Sequence, residues 1–329
     1  MNWKDKPVLV TGAGGFIGSQ LVEALARQGA QVRAFLRYNS RADIGLLKFL
    51  NSDYGKNVEV TLGDIRDSSA ILTAMKDCDV VFHLGALIAI PYSYAHPREV
   101  VETNVMGTLN ILEAARITKP SRVIHTSTSE VYGTAQYIPI NETHPLQGQS
   151  PYSASKIGAD KIVESYHRSF GLPTVTVRPF NTYGPRQSAR AVIPTIITQA
   201  LAKDAVQLGE LNSTRDFTFV DDTVRGFLCA AEAPNIEGHE INLGNKQEIS
   251  VGDLAKMIIQ MIGRDVAITC ESERLRPARS EVFRLYADNS LAHELMGWQP
   301  LTTLEVGLAK TIAWIKEHLD LYRVGTYQI

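Results

Sequence analysis

Short apolar runs alternate with amphipathic segments through the first half of the chain. The first run, Pro7–Val10, precedes a segment of helical periodicity from Phe16 to Gln28 that ends at Gly29. Five more strand-like runs follow, at Gln31–Leu36, Val58–Leu62, Val80–Leu84, Val123–Thr126 and Thr174–Val177. Helical patterns lie between most of them. This rhythm predicts an α/β fold of the Rossmann type, a doubly wound parallel sheet with helices on both faces.

The rhythm weakens after about Thr182, where Tyr183-Gly184-Pro185 indicates a turn. Beyond it the pattern predicts a strand at Asp216–Val220 and four helices, at Ala191–Lys203, Thr223–Ala231, Val251–Ile262 and Leu304–His318. We therefore expect a Rossmann domain in residues 1–182, with returns to it around 216–248. Residues 183–329 would form mainly a smaller C-terminal α/β lobe.

The composition excludes some classes of function. The 329 residues include 33 Lys and Arg against 35 Asp and Glu, and this net charge of −2 argues against nucleic-acid binding. Cys78, Cys229 and Cys270 are far apart, so we expect neither a disulfide framework nor a metal site. The polar start of the chain does not resemble a signal peptide, and no apolar run is long enough to span a membrane. We therefore expect a cytoplasmic protein that does not bind membranes.

A glycine-rich turn follows the first predicted strand. Gly12, Gly15 and Gly18 have a GxxGxxG spacing, and Phe16 and Ile17 open the next helix. Glycines allow a tight turn whose backbone approaches a pyrophosphate at the start of a helix. In this context the spacing predicts a dinucleotide site, with a plain glycine-rich turn as the alternative.

The end of the second predicted strand bears on the choice of cofactor. NAD-binding proteins usually place an acid there, in contact with the adenosine ribose. The stretch Phe35–Arg41 has no acid, and Arg37 with Ser40 or Arg41 could hold a 2′-phosphate. The pattern therefore favours NADP over NAD, unless these arginines are only solvated loop residues.

Other cofactor contacts are expected after the third and fourth strands. Asp64 is placed to accept a hydrogen bond from the adenine amino group, although a turn or helix cap is the alternative. The remaining contacts are expected from Ile65, Leu84, Gly85 and Ala86, where small residues let a cofactor lie close.

Tyr152 and Lys156 form a YxxxK pattern in a segment of helical spacing from Tyr152 to Tyr166. Residues four apart share one helix face, and a nearby ammonium favours the phenolate form of tyrosine. Tyr152 could then take a proton from a hydroxyl while a hydride leaves the same carbon. An exposed helix pair is the alternative.

The fifth predicted strand ends in polar residues that would point into the ligand crevice. Thr128 can hydrogen-bond the hydroxyl being oxidised, and Glu130 follows two residues later. Oxidation at one carbon needs no base besides Tyr152, so Glu130 indicates a second proton transfer, such as abstraction next to a new ketone. The alternative is a structural glutamate in a loop.

These residues together resemble the extended short-chain dehydrogenase/reductases that modify nucleotide sugars. The resemblance covers essentially the whole chain and includes Asn104, Arg178–Pro185, Arg215-Asp216-Phe217 and Arg276-Pro277 with Glu281. Thr128-Ser129-Glu130 is similar to the active-site triplet of 4,6-dehydratases, some of which carry Asp where this chain has Ser129. Residues 126–190 are similar to the nucleotide-N-acetylglucosamine 4,6-dehydratases of legionaminic acid pathways, and the Arg37 region to NADP-using GDP-mannose dehydratases.

The resemblance implies conversion of a UDP- or GDP-linked hexose, N-acetylglucosamine, to its 4-keto-6-deoxy form. Tyr152 would oxidise C4, Glu130 would remove the C5 proton, and Ser129 or Glu130 would aid loss of the C6 hydroxyl. NADP, or alternatively NAD, would stay tightly bound and be regenerated in each turnover.

The resemblance also implies further contacts and a partner. Asn104, Lys156 and Pro179 would contact the cofactor. The C-terminal lobe would bind the substrate, whose contacts would come from Ile88, Thr128, Asn181, Arg190, Arg215 and Arg276; the arginines could instead form surface salt bridges. Helices around Pro97–Arg116 and Tyr152–Phe170 would form a homodimer through a four-helix bundle.

Three rival functions remain. UDP-glucuronate decarboxylases share the Thr-Ser-Glu element and would need a cation such as Arg186 or Arg190 near the substrate carboxylate. A nucleotide-sugar 4-epimerase is weakened by Glu130. A non-catalytic cofactor-binding protein is disfavoured because both Tyr152 and Lys156 are present.

Overall fold

Seven parallel strands form the central sheet of the computed structural model, which describes residues 1–277 and 279–326. The thirteen strands of the described chain are β1 Pro7–Thr11, β2 Gln31–Arg37, β3 Val58–Gly63, β4 Val80–His83, β5 Arg122–Thr126, β6 Thr174–Pro179, β7 Asn181–Tyr183, β8 Ala205–Leu208, β9 Thr214–Arg215, β10 Phe217–Phe219, β11 Glu240–Leu243, β12 Ile249–Ser250 and β13 Ala267–Cys270. The sheet order is β11–β6–β5–β4–β1–β2–β3. This parallel sheet confirms the predicted Rossmann-type α/β class.

Twelve α-helices accompany the strands in the described residues. They are α1 Phe16–Arg27, α2 Ser52–Gly55, α3 Ser68–Met75, α4 Ile90–Ala95, α5 Pro97–Val101, α6 Gly107–Thr118, α7 Pro151–Phe170, α8 Val192–Ala202, α9 Val220–Glu232, α10 Val251–Ile262, α11 Ser290–Met296 and α12 Leu304–Glu317. A π-helical turn at Glu102–Met106 joins α5 to α6, and a 3-10 helix at Ser129–Tyr132 follows β5. Other 3-10 helices lie at Gly45–Phe49, Ser272–Arg274 and Leu319–Leu321.

The direction of strand progression reverses at β1. Val10 is paired with Ala34 of β2 on one side and with Phe82 of β4 on the other. Loops that leave the carboxyl ends of β1 and β4 therefore diverge and open a crevice, which is where ligands bind in sheets of this kind.

Apolar side chains cover both faces of the sheet. Val8 and Val10 of β1 pack into a core with α1, α8 and α9, whereas Leu9 packs into a second core with α3, α6 and α7. A strand buried on both faces reads as an unbroken apolar run. The six strands expected in the first half are found within about two residues of their predicted bounds. Burial on both faces explains this for inner strands such as β1 and β4, whereas the edge strand β3 is largely exposed.

The C-terminal region combines small sheets with one return to the main sheet. β11 lies beside β6, with Ile241 paired to Val177. The expected strand at Asp216–Val220 is found as β10, but it pairs with β7 in a separate two-stranded sheet. The helix expected at Thr223–Ala231 begins earlier, as α9 at Val220. The domain division at residue 182 stays a prediction, and residues 278 and 327–329 of the expected lobe lie outside the described residues.

None of the helices within residues 1–277 and 279–326 combines the length and apolar character needed to span a membrane. The thiols of Cys78, Cys229 and Cys270 are free.

Candidate active site

The glycine turn between β1 and α1 is built for close backbone approach. Gly12 adopts a φ of +69°, and a Cβ there would lie 2.8 Å from the Gly85 nitrogen. A Cβ on Gly18 would lie 2.2 Å from the Gly12 carbonyl oxygen. Gly15 caps α1 without a side-chain hydrogen bond, so the first amides of the helix face outward. This arrangement fits the pyrophosphate of a dinucleotide, whose negative charge a helix N-terminus stabilises.

The neighbouring loop after β4 forms the other wall of this turn. The Gly85 amide donates to the Thr11 hydroxyl over 3.0 Å, which ties the ends of β1 and β4 together. Leu84, Gly85 and Ala86 are half-buried, as are Phe16 and Ile17 on the facing helix. Ile65 is buried against Gly107, where a Cβ would lie 2.7 Å from the Ile65 side chain.

The residues predicted to read the adenosine lie at the exposed ends of β2 and β3. The Arg37 side chain is 63% exposed and lies 3.4 Å from the Glu99 carboxylate of α5. Ser40 is exposed. Arg66 contacts both oxygens of Asp64 and lowers the pKa of that carboxyl. Glu99 was not expected from the sequence, because it lies 62 positions from Arg37 with no motif of its own.

Helix α7 places Tyr152 and Lys156 one turn apart inside the protein. Ser150 and Ser153 form a capping box at its start, with Pro151 in the first turn, and these residues fix where the helix begins. Tyr152 is 7% exposed and Lys156 is 3% exposed. The exposed pair that was the alternative is therefore excluded.

Burial sets the protonation of this pair. Burial lowers the pKa of Lys156 to about 8, and the Asp160 carboxylate opposes that change. Burial also raises the pKa of Tyr152, reinforced by the negative charges of Glu130 and Asp160, while a hydrogen bond with Thr128 lowers it. The expectation that the Lys156 ammonium favours the Tyr152 phenolate stays a prediction, and loss of hydration acts against the phenolate in the protein alone.

Glu130 stands in the 3-10 helix that follows β5. Thr128 caps this helix by accepting from the Glu130 amide over 3.2 Å, which joins two of the predicted catalytic residues. The Glu130 side chain is half-buried, and its carboxylate makes no hydrogen bond or ion pair with any described residue. Ser129 is buried beside it. Glu130 is thus a carboxylate available for proton transfer.

Two arginines, Arg215 and Arg276, form a cationic cluster that interacts with Glu130 through Arg215. Arg215 is buried and pairs with Glu281 over 3.0 Å, and the Glu130 charge also acts on Arg215. Arg276 lies 3.8 Å from the same Glu281. Within the described part of the chain, Arg276 Nη1 and Asn181 Oδ1 are buried with no hydrogen-bond partner. The unpaired guanidinium nitrogen of Arg276 and the neighbouring Arg215 guanidinium fit an anionic ligand such as a diphosphate, whereas Asn181 would bind one only through its amide hydrogens, because its unpaired Oδ1 accepts hydrogen bonds.

Two other residues predicted to contact the cofactor, Asn104 and Pro179, are buried. Asn104 is buried in the π-helical turn, where its amide bonds the Leu87 backbone and the Ser155 hydroxyl. Both amide hydrogens are thus used within the protein, so direct cofactor contact by Asn104 stays a prediction. Pro179 is buried at the end of β6.

Among the residues predicted at the sugar, Ile88 and Arg190 are exposed, and Arg190 contacts only Ser188 over 3.4 Å in the described structure. Arg186 pairs with Glu23 of α1 over 2.6 Å and donates to the Phe49 carbonyl. Both of these contacts use Nη2, while Arg186 Nη1 is buried with no hydrogen-bond partner among the described residues, so a role for Arg186 beside a sugar carboxylate stays a prediction.

A family model described as GDP-mannose 4,6 dehydratase matches residues 9–311. The chain belongs to this family. It is an extended short-chain dehydrogenase/reductase, as the sequence motifs predicted, within a family of NAD-dependent nucleotide-sugar dehydratases and epimerases.

Relatives of both kinds cover nearly the whole chain. The UDP-glucose 4-epimerase of Mycolicibacterium smegmatis is 34% identical over 313 residues, 94% of this chain and 98% of its own. The dTDP-glucose 4,6-dehydratase of Streptomyces venezuelae, solved with NAD and TYD bound, has a TM-score of 0.86 at 28% identity, covering 96% and 99% of the two chains. The UDP-glucuronic acid 4-epimerase of Bacillus cereus, solved with UDP-glucuronic acid and NAD, has a TM-score of 0.86 at 31% identity, covering 95% and 99%.

The glycine turn yields a first prediction. Gly18→Ala should weaken binding of NAD and NADP by at least ~10-fold, because its methyl group must displace the Gly12 carbonyl that shapes the turn. Isothermal titration calorimetry measures this. Gly55→Ala is the matched control, because a Cβ at Gly55 meets nothing within 4 Å. Equal affinities in the two variants would show that the turn does not hold the cofactor.

Proposed function

We propose that this protein is a nucleotide-sugar 4,6-dehydratase that acts on UDP- or GDP-linked N-acetylglucosamine and forms the 4-keto-6-deoxy sugar. The unpaired carboxylate of Glu130, in the same site as Tyr152, carries this proposal. The similarity of residues 126–190 to legionaminic-pathway enzymes supports the choice of sugar. A 4-epimerase is the second candidate, because relatives such as the M. smegmatis enzyme have that activity in their names.

Tyr152 and Thr128 act in the first step. Tyr152 removes the proton from the C4 hydroxyl as the C4 hydride leaves, and Thr128 hydrogen-bonds Tyr152. The product of this step is a 4-ketone, which makes the C5 proton acidic. A bound nicotinamide cofactor would supply the hydride acceptor for this step and the hydride donor for C6.

Glu130 acts in the second step. Its carboxylate takes the C5 proton, and Glu130 or Ser129 gives a proton to the departing C6 hydroxyl, so that water is lost between C5 and C6. After hydride returns to C6, a proton reaches C5 through Glu130. Arg215, Arg276 and Asn181 bind the diphosphate in this proposal, with Arg190 and Ile88 closer to the sugar.

The second step gives a prediction for Glu130→Gln. This variant should still reduce its cofactor transiently with substrate, but solvent deuterium should enter C5 at least ~10²-fold more slowly, because the amide cannot accept the proton. Stopped-flow absorbance measures the first step, and NMR in D2O measures the exchange.

Tyr152→Phe is the matched variant for the first step. It should bind cofactor normally but form no reduced cofactor and no deuterated product. C5 exchange at the wild-type rate in Glu130→Gln would contradict the assignment of Glu130, and transient reduction at the wild-type level in Tyr152→Phe would contradict that of Tyr152.

We also propose that NADP is the preferred cofactor, with NAD, found in the similar structures, as the alternative. Exposed Arg37 and Ser40 and the lack of an acid at the end of β2 support this choice. Arg37→Ala should lower NADP affinity about 10-fold and leave NAD affinity unchanged, because only NADP carries the 2′-phosphate. Calorimetry with both cofactors measures this. Equal losses for NAD and NADP would show that Arg37 does not read the 2′-phosphate.

A homodimer is proposed through the α5–α6 segment and α7. Val101, Met106, Ile117 and Phe170 are apolar yet exposed on these helices. Met106→Glu should therefore convert a dimer to monomers, as measured by light scattering. Leu301→Glu, at an apolar residue 70% exposed on a loop, is the control and should leave the dimer intact. A monomeric wild-type protein would refute this proposal.

A further inference from the structure

Asp160 is the most completely enclosed acid beside the catalytic pair. It lies four residues after Lys156 in α7, so the two side chains share one helix face. Its carboxylate accepts from His125 Nε2 over 3.2 Å, from the Ser127 hydroxyl over 2.7 Å and from Arg178 over 3.1 Å. These donors come from β5, from the residue that follows it and from β6, so one carboxylate joins the catalytic helix to two strands.

The protonation of this network follows from its hydrogen bonds. Burial opposes ionisation of Asp160, but the His125 bond and the charges of Arg178 and Lys156 hold its pKa at about 2. An ionised carboxylate only accepts, so His125 carries its proton on Nε2. Burial, with the Lys156 charge, lowers the pKa of His125 to about 4, which makes His125 neutral near pH 7.

Lys156 is buried without a direct partner. Its ammonium makes no hydrogen bond or ion pair with any residue in 1–277 or 279–326, and Asp160 is the opposite charge that acts on it. A buried ammonium without a nearby negative charge loses its proton readily. Asp160, one helical turn after Lys156, therefore affects whether Lys156 is charged.

We propose that Asp160 is a positioning residue whose buried negative charge keeps Lys156 protonated while its hydrogen bonds hold α7 against β5 and β6. Because a charged Lys156 matters only if Tyr152 oxidises a hydroxyl, the catalytic consequence rests on the proposed function. The effect on Lys156 itself does not.

The other groups around Lys156 do not substitute for Asp160. His83 of β4 is neutral: burial holds its pKa well below the usual range, and its ring bonds the hydroxyls of Thr11 and Thr108. Arg178 of β6 is positive and cannot stabilise an ammonium. Tyr152, on α7 itself, has a pKa raised by burial.

The remaining elements that pack on α7 supply no other negative charge at Lys156 among the described groups. Glu130 of the 3-10 helix acts on Tyr152 and Arg215. Glu99 of α5 is bonded by Tyr92 and Arg37, and Glu113 of α6 by Tyr166. The π-helical turn presents the neutral amide of Asn104 to α7.

The charge of Asp160 raises the pKa of Lys156, so its removal should move that pKa down from about 8. At any pH near neutrality, a larger fraction of Lys156 would then be uncharged. A variant that removes a hydrogen bond to Asp160 but keeps its charge should not do this.

The test is a pH titration of the protein labelled with 13Cε-lysine, followed by NMR, with the Lys156 signal assigned from Lys156→Met. Asp160→Asn should lower the pKa of Lys156 by about one pH unit or more. Ser127→Ala is the matched control, because it removes one donor and leaves the carboxylate ionised, so its titration should follow wild type. Arg178 keeps its Glu240 partner over 2.8 Å in Asp160→Asn. If the single variant does not fold, the double variant Asp160→Asn/Arg178→Gln should show a smaller fall in the same direction, because loss of the positive Arg178 charge offsets part of the loss of the Asp160 charge.

An unchanged Lys156 pKa in the folded Asp160 variants would overturn the proposal, as would an equal fall in Ser127→Ala. The kinetic counterpart is the first-turnover reduction of cofactor, whose decline at high pH should begin about one pH unit lower in Asp160→Asn, with the KM for the nucleotide sugar unchanged. If no UDP- or GDP-sugar causes the wild-type protein to reduce its cofactor, the proposed function fails. The NMR comparison still decides the role of Asp160 in that case.

Discussion

The buried ion pair of Asp160 and Arg178 holds the two catalytic segments in one unit. Neither side chain is exposed, and Arg178 also donates to the Tyr132 hydroxyl over 3.0 Å. Asp160 belongs to the helix of Tyr152 and Lys156, whereas Tyr132 belongs to the 3-10 helix of Glu130. Removal of one partner costs roughly 3–5 kcal/mol where the other charge is left buried without a partner. Here Arg178 also pairs with Glu240 over 2.8 Å, and Asp160 also accepts from His125 and Ser127, so part of that cost is offset. The relative position of the hydroxyl-oxidising and proton-abstracting groups therefore depends on this contact.

Different surroundings suit the two acid–base groups to different steps. Tyr152 is enclosed, and burial keeps its proton bound until charge in the site favours the phenolate. Glu130 is half-buried and makes no hydrogen bond or ion pair with the described residues, and its charge interacts with that of Arg215. Two titratable groups in contrasting environments are the usual basis for dividing acid and base work at one site. In a dehydratase, this division separates oxidation at C4 from elimination across C5 and C6.

Local features of the sequence were sufficient for the fold class, the glycine turn and the Tyr152–Lys156 pair, since each depends on neighbours within one or two turns of chain. The Asp160 network was missed because its partners lie 35, 33 and 18 positions away and meet only when α7 packs on β5 and β6. A signal was present in Asp160 itself, one helical turn after Lys156, and in Arg178 at the end of an apolar strand. The separate sheet of β10 and β7 was missed because short strands do not encode their partners.

The fate of the C4 hydrogen distinguishes a 4,6-dehydratase from a 4-epimerase. UDP- and GDP-N-acetylglucosamine deuterated at C4 can be incubated with the purified holoenzyme, and the product examined by mass spectrometry and NMR. We expect loss of one water and deuterium at C6, with no net reduction of the cofactor. Deuterium that remains at C4 in a product of unchanged mass would indicate a 4-epimerase and contradict the dehydratase assignment.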